Sequence, residues 1–338
     1  MPQRLWIPFG CCVKGASHRR KEKEYQDKFC PQKDNQDAFY KLRGKTYMDG
    51  DRGKKMPSII AISDGHGGDK YIRSKNGSVI AVHQAGRIAK QNMNIELSAG
   101  MRKDELTGAI RHIKTRYLLL WQQTVDNHVK SNPFTDEEKV FLKEHCSQRD
   151  YDIVVNNPRI AYGCTFLCAM AYEDLVLIIQ LGDGDILGLY ANDEVSRELT
   201  KSDPRNIGNE TLSLCSLRDV NDIAHEILIG NDIPKMITLT TDGVKNSYND
   251  LTSDIEAFYS IPVVIENELK KRNFNIDAVK AQTEQWLEKI TTNGSGDDVT
   301  IGVLYDSCAL SDTDFIANIN TPPLLNPHVV IDGNDQEE

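Results

Sequence analysis

A chain of 338 residues with 27% charged and 39% hydrophobic residues has the composition of a globular protein, enough for one large domain or two ordinary ones. Its 50 Asp and Glu outweigh 40 Lys and Arg, and the net charge of −10 argues against nucleic acid or an anionic membrane as partner. No run reaches the roughly 20 apolar residues of a membrane span, residues 1–9 lack the apolar core of a secretory signal, and the 8 cysteines include no Cys-x-x-Cys pair. The expectation is a cytoplasmic protein with reduced thiols and no zinc site.

In chain order, residues 1–68 supply the first strands, interrupted by a charged excursion from Arg19 to Lys33. Ser58-Ile59-Ile60-Ala61-Ile62 reads as a buried strand. Residues 77–96 and 102–148 read as helices. In the second, Ala109, Ile110, Ile113, Tyr117, Leu118, Trp121 and Val125 recur at helical spacing, a stripe for core packing. Between 160 and 200 apolar runs follow one another with short turns, Asn192-Asp193 among them. This favours antiparallel hairpins over a doubly wound parallel sheet. Residues 202–234 are irregular, with Pro204, Gly208 and Asn209 as breakers. Helical patterning returns over 250–290 and ends at Asn293-Gly294. Beyond Tyr305 it fades, which gives one domain over 1–308 and a loosely ordered tail over 309–338.

Chemistry concentrates at the ends of the apolar runs. The strand at 58–62 stops at Ser63-Asp64-Gly65-His66-Gly67-Gly68. Leu175–Leu181 leads into Gly182-Asp183-Gly184-Asp185, and Met236–Thr240 leads into Thr241-Asp242-Gly243. Gly296-Asp297-Asp298 precedes the run Val299–Tyr305. Any one Asp-Gly pair can be a turn. Four at the ends of rigid strands can converge at one sheet edge, where carboxylates repel unless cations neutralise them. An all-oxygen ligand set favours Mg²⁺ or Mn²⁺ over Zn²⁺. Gly65 can turn its carbonyl toward a cation, and His66 is placed for proton transfer beside one.

In this order the motifs resemble those of the metal-dependent protein phosphatases of type 2C. Asn35-Gln36-Asp37-Ala38-Phe39 resembles the acidic first motif, and Asp64-Gly65-His66-Gly67-Gly68 matches the family's most recognisable one residue for residue. Tyr162-Gly163-Cys164-Thr165-Phe166, Gly182-Asp183-Gly184, Thr241-Asp242-Gly243-Val244 and Gly296-Asp297-Asp298-Val299-Thr300 continue the series. Gly15-Ala16-Ser17-His18 is similar to the opening strand of the bacterial branch.

The resemblance implies an α+β fold, a four-layer αββα sandwich of two packed antiparallel sheets flanked by helices. It implies hydrolysis of phosphoserine and phosphothreonine in proteins, by direct attack of a water activated between two Mg²⁺ or Mn²⁺ ions. Asp64 would bridge the ions, Asp242 and Asp297 would complete one, and the Gly65 carbonyl would serve the other. Asp37 would act near the second ion, directly or through waters, and Asp183 with Asp242 would hold a third, weaker ion. His66 would protonate the departing oxygen. The partners implied are a phosphorylated protein and a cognate serine/threonine kinase, for a monomeric enzyme. Residues 202–234 would either flank the cleft and select substrate or merely connect.

The chain departs from the family at three places. Lys33 stands nearest to the position of a phosphate-gripping arginine, and lacks the bidentate fork; Arg19 or Arg20 are the substitutes. Asp185 replaces an arginine after Gly-Asp-Ser and either adds charge to the site or caps a hairpin turn. Tyr25-Gln26-Asp27 duplicates the Gln-Asp pair, so Asp27 competes with Asp37. The missing arginine and the unusual Gly182-Asp183-Gly184-Asp185 leave a second reading open, a phosphatase fold with weak or no catalysis that serves as a regulatory binding module.

Overall fold

The computed structural model describes residues 4–24, 29–31, 34–44, 46–49, 52–91, 97, 100–172, 175–196, 199–200, 211–248 and 252–311. The chain runs through β1 (Trp6–Val13), α1 (Ala16–Glu24), β2 (Ala38–Leu42), a small hairpin of β3 (Thr46–Asp49) and β4 (Arg52–Lys55), and β5 (Ser58–Ser63). Four helices follow, α2 (Ser74–Gln91), α3 (Lys103–Ser131), α4 (Asp136–His145) and α5 (Gln148–Asn156). Then come β6 (Phe166–Ala171), β7 (Leu175–Leu181), β8 (Asp185–Leu189), β9 (Val195–Ser196), β10 (Ala224–Ile229) and β11 (Met236–Thr240). The short α6 (Asp242–Lys245) leads to α7 (Thr252–Tyr259), α8 (Ile261–Lys271), α9 (Ile276–Asn293), β12 (Val299–Asp306) and α10 (Ser307–Ser311).

Two five-stranded antiparallel sheets form, in the orders β1-β12-β11-β8-β9 and β10-β7-β6-β5-β2. Strands buried on both faces need apolar side chains on both, which is why they read as continuous hydrophobic runs. In β5 the alternation divides the work: Ile60 and Ile62 pack between the sheets with Leu167, Ile178, Ile237 and Leu304, while Ile59 and Ala61 face the helical layer of Ala81, Ala85, Ile113 and Trp121. On the other outer face, Val299, Ile301 and Val303 meet Leu269, Trp286, Leu287 and Ile290 of α8 and α9. The sandwich is therefore helix, sheet, sheet, helix, as expected. Gly302 is required by this packing, because a Cβ there would lie 2.7 Å from Ile60 Cγ1.

The helical stripe of α3 is buried as read, with Ile110, Ile113, Tyr117, Leu118, Trp121 and Val125 all inside. The helix expected over 102–148 is instead divided. Asn132-Pro133 ends α3, and Thr135 caps α4 by accepting from Glu138 N at 3.2 Å, an arrangement worth about 1 kcal/mol. The run of strands at 160–200 also differs in one respect. β6 and β7 are a hairpin, but β7 and β8 belong to different sheets, so Gly182-Asp183-Gly184 is a crossing between layers. Asn192-Asp193 does turn β8 into β9, with Asp193 at φ 64°. Within 202–234 a strand, β10, escaped the sequence reading. Gly15–His18 is no strand: β1 ends at Val13 and α1 begins at Ala16, so residues 19–24 of the charged excursion are helix.

Candidate active site

The acids gather because strand register puts their strand ends together. Ala38 pairs with Ser63, so Asp37, before β2, and Asp64, after β5, lie at the same end of one sheet. Thr240 pairs with Asp185 on one side and Ile301 on the other. That brings Asp242, Asp297 and the Gly182–Asp185 crossing to one end of the second sheet. Thr241 joins the two ends, its Oγ1 donating to Asp37 Oδ2 at 3.0 Å.

The Asp64-Gly65-His66 segment is zipped to Gly163-Cys164-Thr165. Thr165 N donates to Asp64 O at 2.8 Å and His66 N to Gly163 O at 3.1 Å. Asp64 N donates to Thr165 Oγ1 at 3.0 Å, and Ser63 Oγ to Thr165 O at 2.6 Å. Gly163 makes room for the site, since a Cβ there would stand 2.7 Å from His66 Cδ2 and 2.4 Å from Tyr71 Cδ1. The Tyr71 ring braces the imidazole with centroids 4.8 Å apart. Gln36, buried in the first motif, turns its amide so that Nε2 donates to Gly65 O at 2.7 Å and His66 O at 3.1 Å. It thereby fixes the carbonyl that the family pattern assigns to a cation.

Electrostatics show how poorly these carboxylates tolerate one another. Burial, then the Asp298 charge, pushes the Asp37 carboxyl up to about 8. Asp64 is held well above the usual range by burial and then by Asp37 and Asp242. Asp242 is raised to about 6 by burial, Asp183 and Asp297. Asp297 is raised too, chiefly by desolvation, although its outer edge is exposed. Asp183 accepts from Thr211 Oγ1 at 2.5 Å. His66 is pushed down to about 4 by burial, with Lys70 acting the same way and Asp183 opposing. A neutral imidazole is a weaker proton donor than an imidazolium, so its placement, and not its charge here, marks it for proton transfer.

The donor set suits a hard divalent ion. It is all oxygen, and Asp37 Oδ1 is buried with no hydrogen-bond donor among the described residues. As they stand, no three acid, imidazole or thiol side chains among the described residues are gathered tightly enough to hold a metal. The acids would have to close on an ion to bind it.

The other expectations fare unevenly. Lys33 and Asp27 lie outside the described residues. Arg19 is committed to scaffolding, with Nη1 on Lys14 O at 2.6 Å and on Glu288 at 2.9 Å. Arg20 is exposed, its Nη2 near Gly296. Asp185 does not cap a hairpin; it pairs with Lys245 Nζ at 2.9 Å. Sequence reasoning missed His18 and Asp298, which meet behind the acids with Nδ1 to Oδ1 at 2.9 Å. Their signals, Gly15-Ala16-Ser17-His18 and the second acid of Asp297-Asp298, were in view without a chemical role.

A two-sheet sandwich with strand-end acids at one edge is the architecture of a metal-assisted hydrolase. The family model described as Protein phosphatase 2C matches residues 14–288, and the chain belongs to that family of metal-dependent serine/threonine phosphatases. Among solved structures similar to it is the catalytic domain of the serine/threonine protein phosphatase PstP in complex with two manganese ions. It is 13% identical, over 89% of this chain and 98% of that one, with a TM-score of 0.46. Stp1 from Staphylococcus aureus is 14% identical over 89% and 95% of the two chains, with a TM-score of 0.45. PppA of Pseudomonas aeruginosa is 14% identical over 90% and 99%, with a TM-score of 0.46. No curated protein matches the chain in sequence.

Proposed function

We propose that this edge of the sandwich is the active centre of a metal-dependent protein serine/threonine phosphatase, with Asp37, Asp64, Asp183, Asp242, Asp297 and the Gly65 carbonyl as its metal ligands. The observation that carries the reading is the convergence of acids from both sheets, with Asp37, Asp64, Asp242 and Asp297 raised above the ordinary carboxylate range. Asp37 is buried with its Oδ1 left without a donor among the described residues, Asp64, Asp183 and Asp242 are half-buried, and Asp297 is exposed. Mg²⁺ or Mn²⁺ would supply an activated water and electrostatic relief for the developing charge on phosphorus.

The chain's own residues do the rest. Asp64, set between Asp37 and Asp242, is the natural shared ligand, its backbone locked by Thr165. Thr241 holds one Asp37 oxygen so that the other faces the cluster. His66, braced by Tyr71 and flanked by Asp183, is placed to hand a proton to the leaving serine or threonine oxygen. Help of that kind is typically worth about 10²- to 10⁴-fold. The phosphate partner at Lys33 stays part of the reading, with Arg20 as its exposed substitute.

The substrate class is a phosphoprotein, which a serine/threonine kinase would supply. A monomer suffices because one chain provides every acid. None of the 8 cysteines forms a disulfide, which supports a reducing compartment such as the cytoplasm. Among the described residues no helix is long and apolar enough to cross a membrane.

The test is phosphate release from a phosphothreonine peptide with Mn²⁺, with and without chelator, beside Asp242→Asn. Metal-dependent turnover lost in the variant is the expected result. No turnover from folded protein that has bound Mn²⁺ would favour the binding-module reading.

A further inference from the structure

Beside the acid cluster sits a carboxylate whose bonds go to backbone amides and to His18. Asp298 is 3% exposed and His18 5%. Asp298 Oδ1 accepts from Gly15 N at 2.7 Å and meets His18 Nδ1 at 2.9 Å, while Oδ2 accepts from Gln36 N at 2.5 Å. Its backbone N donates to Asp297 Oδ1 at 2.8 Å. Both oxygens are spent on the protein interior, so this acid is not available as a ligand. What it does is join segments. Gln36 precedes Asp37 in one sheet, Asp297 precedes β12 in the other, and Gly15 to His18 open α1.

The surrounding contacts show that the junction is built for this. Ser17 N and Oγ both donate to Gly296 O, at 2.9 and 2.7 Å. Ala16 N donates to Thr291 Oγ1 at 2.9 Å, and that hydroxyl donates to Asp297 O at 2.7 Å. Gly15 approaches so closely that a Cβ would lie 2.6 Å from Gly296 O. An uncharged amide does not replace the carboxylate. Its one oxygen serves one side of the junction, and its NH₂ then faces the backbone donor on the other.

We propose that Asp298 and His18 are positioning residues that set the distance between Asp37 of one sheet and Asp297 of the other, and so the metal affinity of the site. The inference rests on the proposed metal-dependent reading. Outer groups that orient metal ligands typically account for about 10- to 100-fold in affinity.

The experiment is Mn²⁺ binding by isothermal titration calorimetry to the full chain, wild type beside Asp298→Asn, His18→Ala and His18→Asn, with far-UV circular dichroism for folding. Asn can offer an N–H donor near the place of Nδ1, so His18→Asn should bind Mn²⁺ close to wild type. His18→Ala and Asp298→Asn should bind about 10- to 100-fold more weakly. At saturating Mn²⁺ their kcat should return to within a few-fold of wild type, which a general loss of structure would not allow. If Asp298→Asn does not fold, the contrast between His18→Ala and His18→Asn decides alone. Wild-type affinity in folded His18→Ala or Asp298→Asn overturns the inference and leaves the phosphatase reading standing. Absence of Mn²⁺ binding by the wild type overturns both.

Discussion

β11 has charge gathered at both of its ends, fully buried at one and partly buried at the other, and the two ends handle it in opposite ways. At its start Lys235, with a side chain 1% exposed, meets Asp193 at 2.6 Å and Glu266 at 3.0 Å, and Lys270 meets Glu266 at 2.8 Å. At its other end Asp242 joins Asp37, Asp64, Asp183 and Asp297, and among the described residues no lysine or arginine pairs with any of them. A buried pair is neutral within the fold and needs nothing further. A group of partly buried acids is repulsive until a cation arrives, and on the proposed reading that repulsion is the cost of holding one. The difference separates a structural charge cluster from a functional one without reference to any relative.

The largest effect should come from the unpaired end. Asp64→Asn is expected to lower kcat by about 10²- to 10³-fold or more, the scale of one preorganised electrostatic contact at a reacting group. In metal-free protein at alkaline pH, where these acids are driven toward ionisation, the same change should raise the melting temperature, because it removes one of several mutually repelling groups. A lower melting temperature in Asp64→Asn would mean that the carboxylate is a structural partner and would break the contrast.

At the paired end the signs reverse. Lys235→Met leaves the buried Glu266 to Lys270 and takes the lysine from the half-exposed Asp193, and is expected to cost about 1–3 kcal/mol in urea unfolding. The turnover of the folded fraction should match wild type. A variant as stable as wild type would show that the two ends do not differ in the way described.

The pH dependence sharpens the comparison further. Asp37 and Asp242 bind protons more tightly in the folded chain, at about 8 and about 6, than a free Asp does. A group raised in this way contributes stability below its unfolded value, near 4, and loses it as the pH climbs through the folded value. The melting temperature of metal-free protein should therefore fall by several degrees between about pH 5 and pH 8. Mn²⁺ should flatten that slope, adding about 2.7 kcal/mol per site at a hundredfold excess over Kd. A slope unchanged by Mn²⁺ would mean that the ion does not meet these acids.

Much of this was legible in the sequence because strands buried on both faces announce themselves as apolar runs, and an acid at the end of such a run has few places to go. Asp64, Asp183, Asp242 and Asp297 were visible on those grounds. What stayed hidden depends on contacts across long sequence separations. His18 and Asp298 are 280 positions apart, and although Asp298 abuts the run Val299–Tyr305, nothing in either segment marks the other as its partner. The division of α3 from α4 was missed because the apolar stripe outweighed Asn132-Pro133. The crossing at Gly182-Asp183-Gly184 has the pattern of a hairpin, because periodicity tells which residues are buried, not which of two sheets they join.

The smallest effect tests the border between the two kinds of charge. Asp185 stands one residue beyond Gly184, close in sequence to Asp183, yet it pairs with Lys245, whose side chain is 37% exposed. By the contrast drawn above it belongs to the structural class. Asp185→Asn should change stability by no more than about 1 kcal/mol, as a partly exposed ion pair does. It should also leave the Mn²⁺ concentration for half-maximal activity within about twofold of wild type, since the Asp185 charge, on a side chain 11% exposed, is already balanced by Lys245. A shift as large as that of Asp242→Asn would move Asp185 into the acid cluster. The rule would then have to be restated, because an acid with its own lysine would still be sharing in the site.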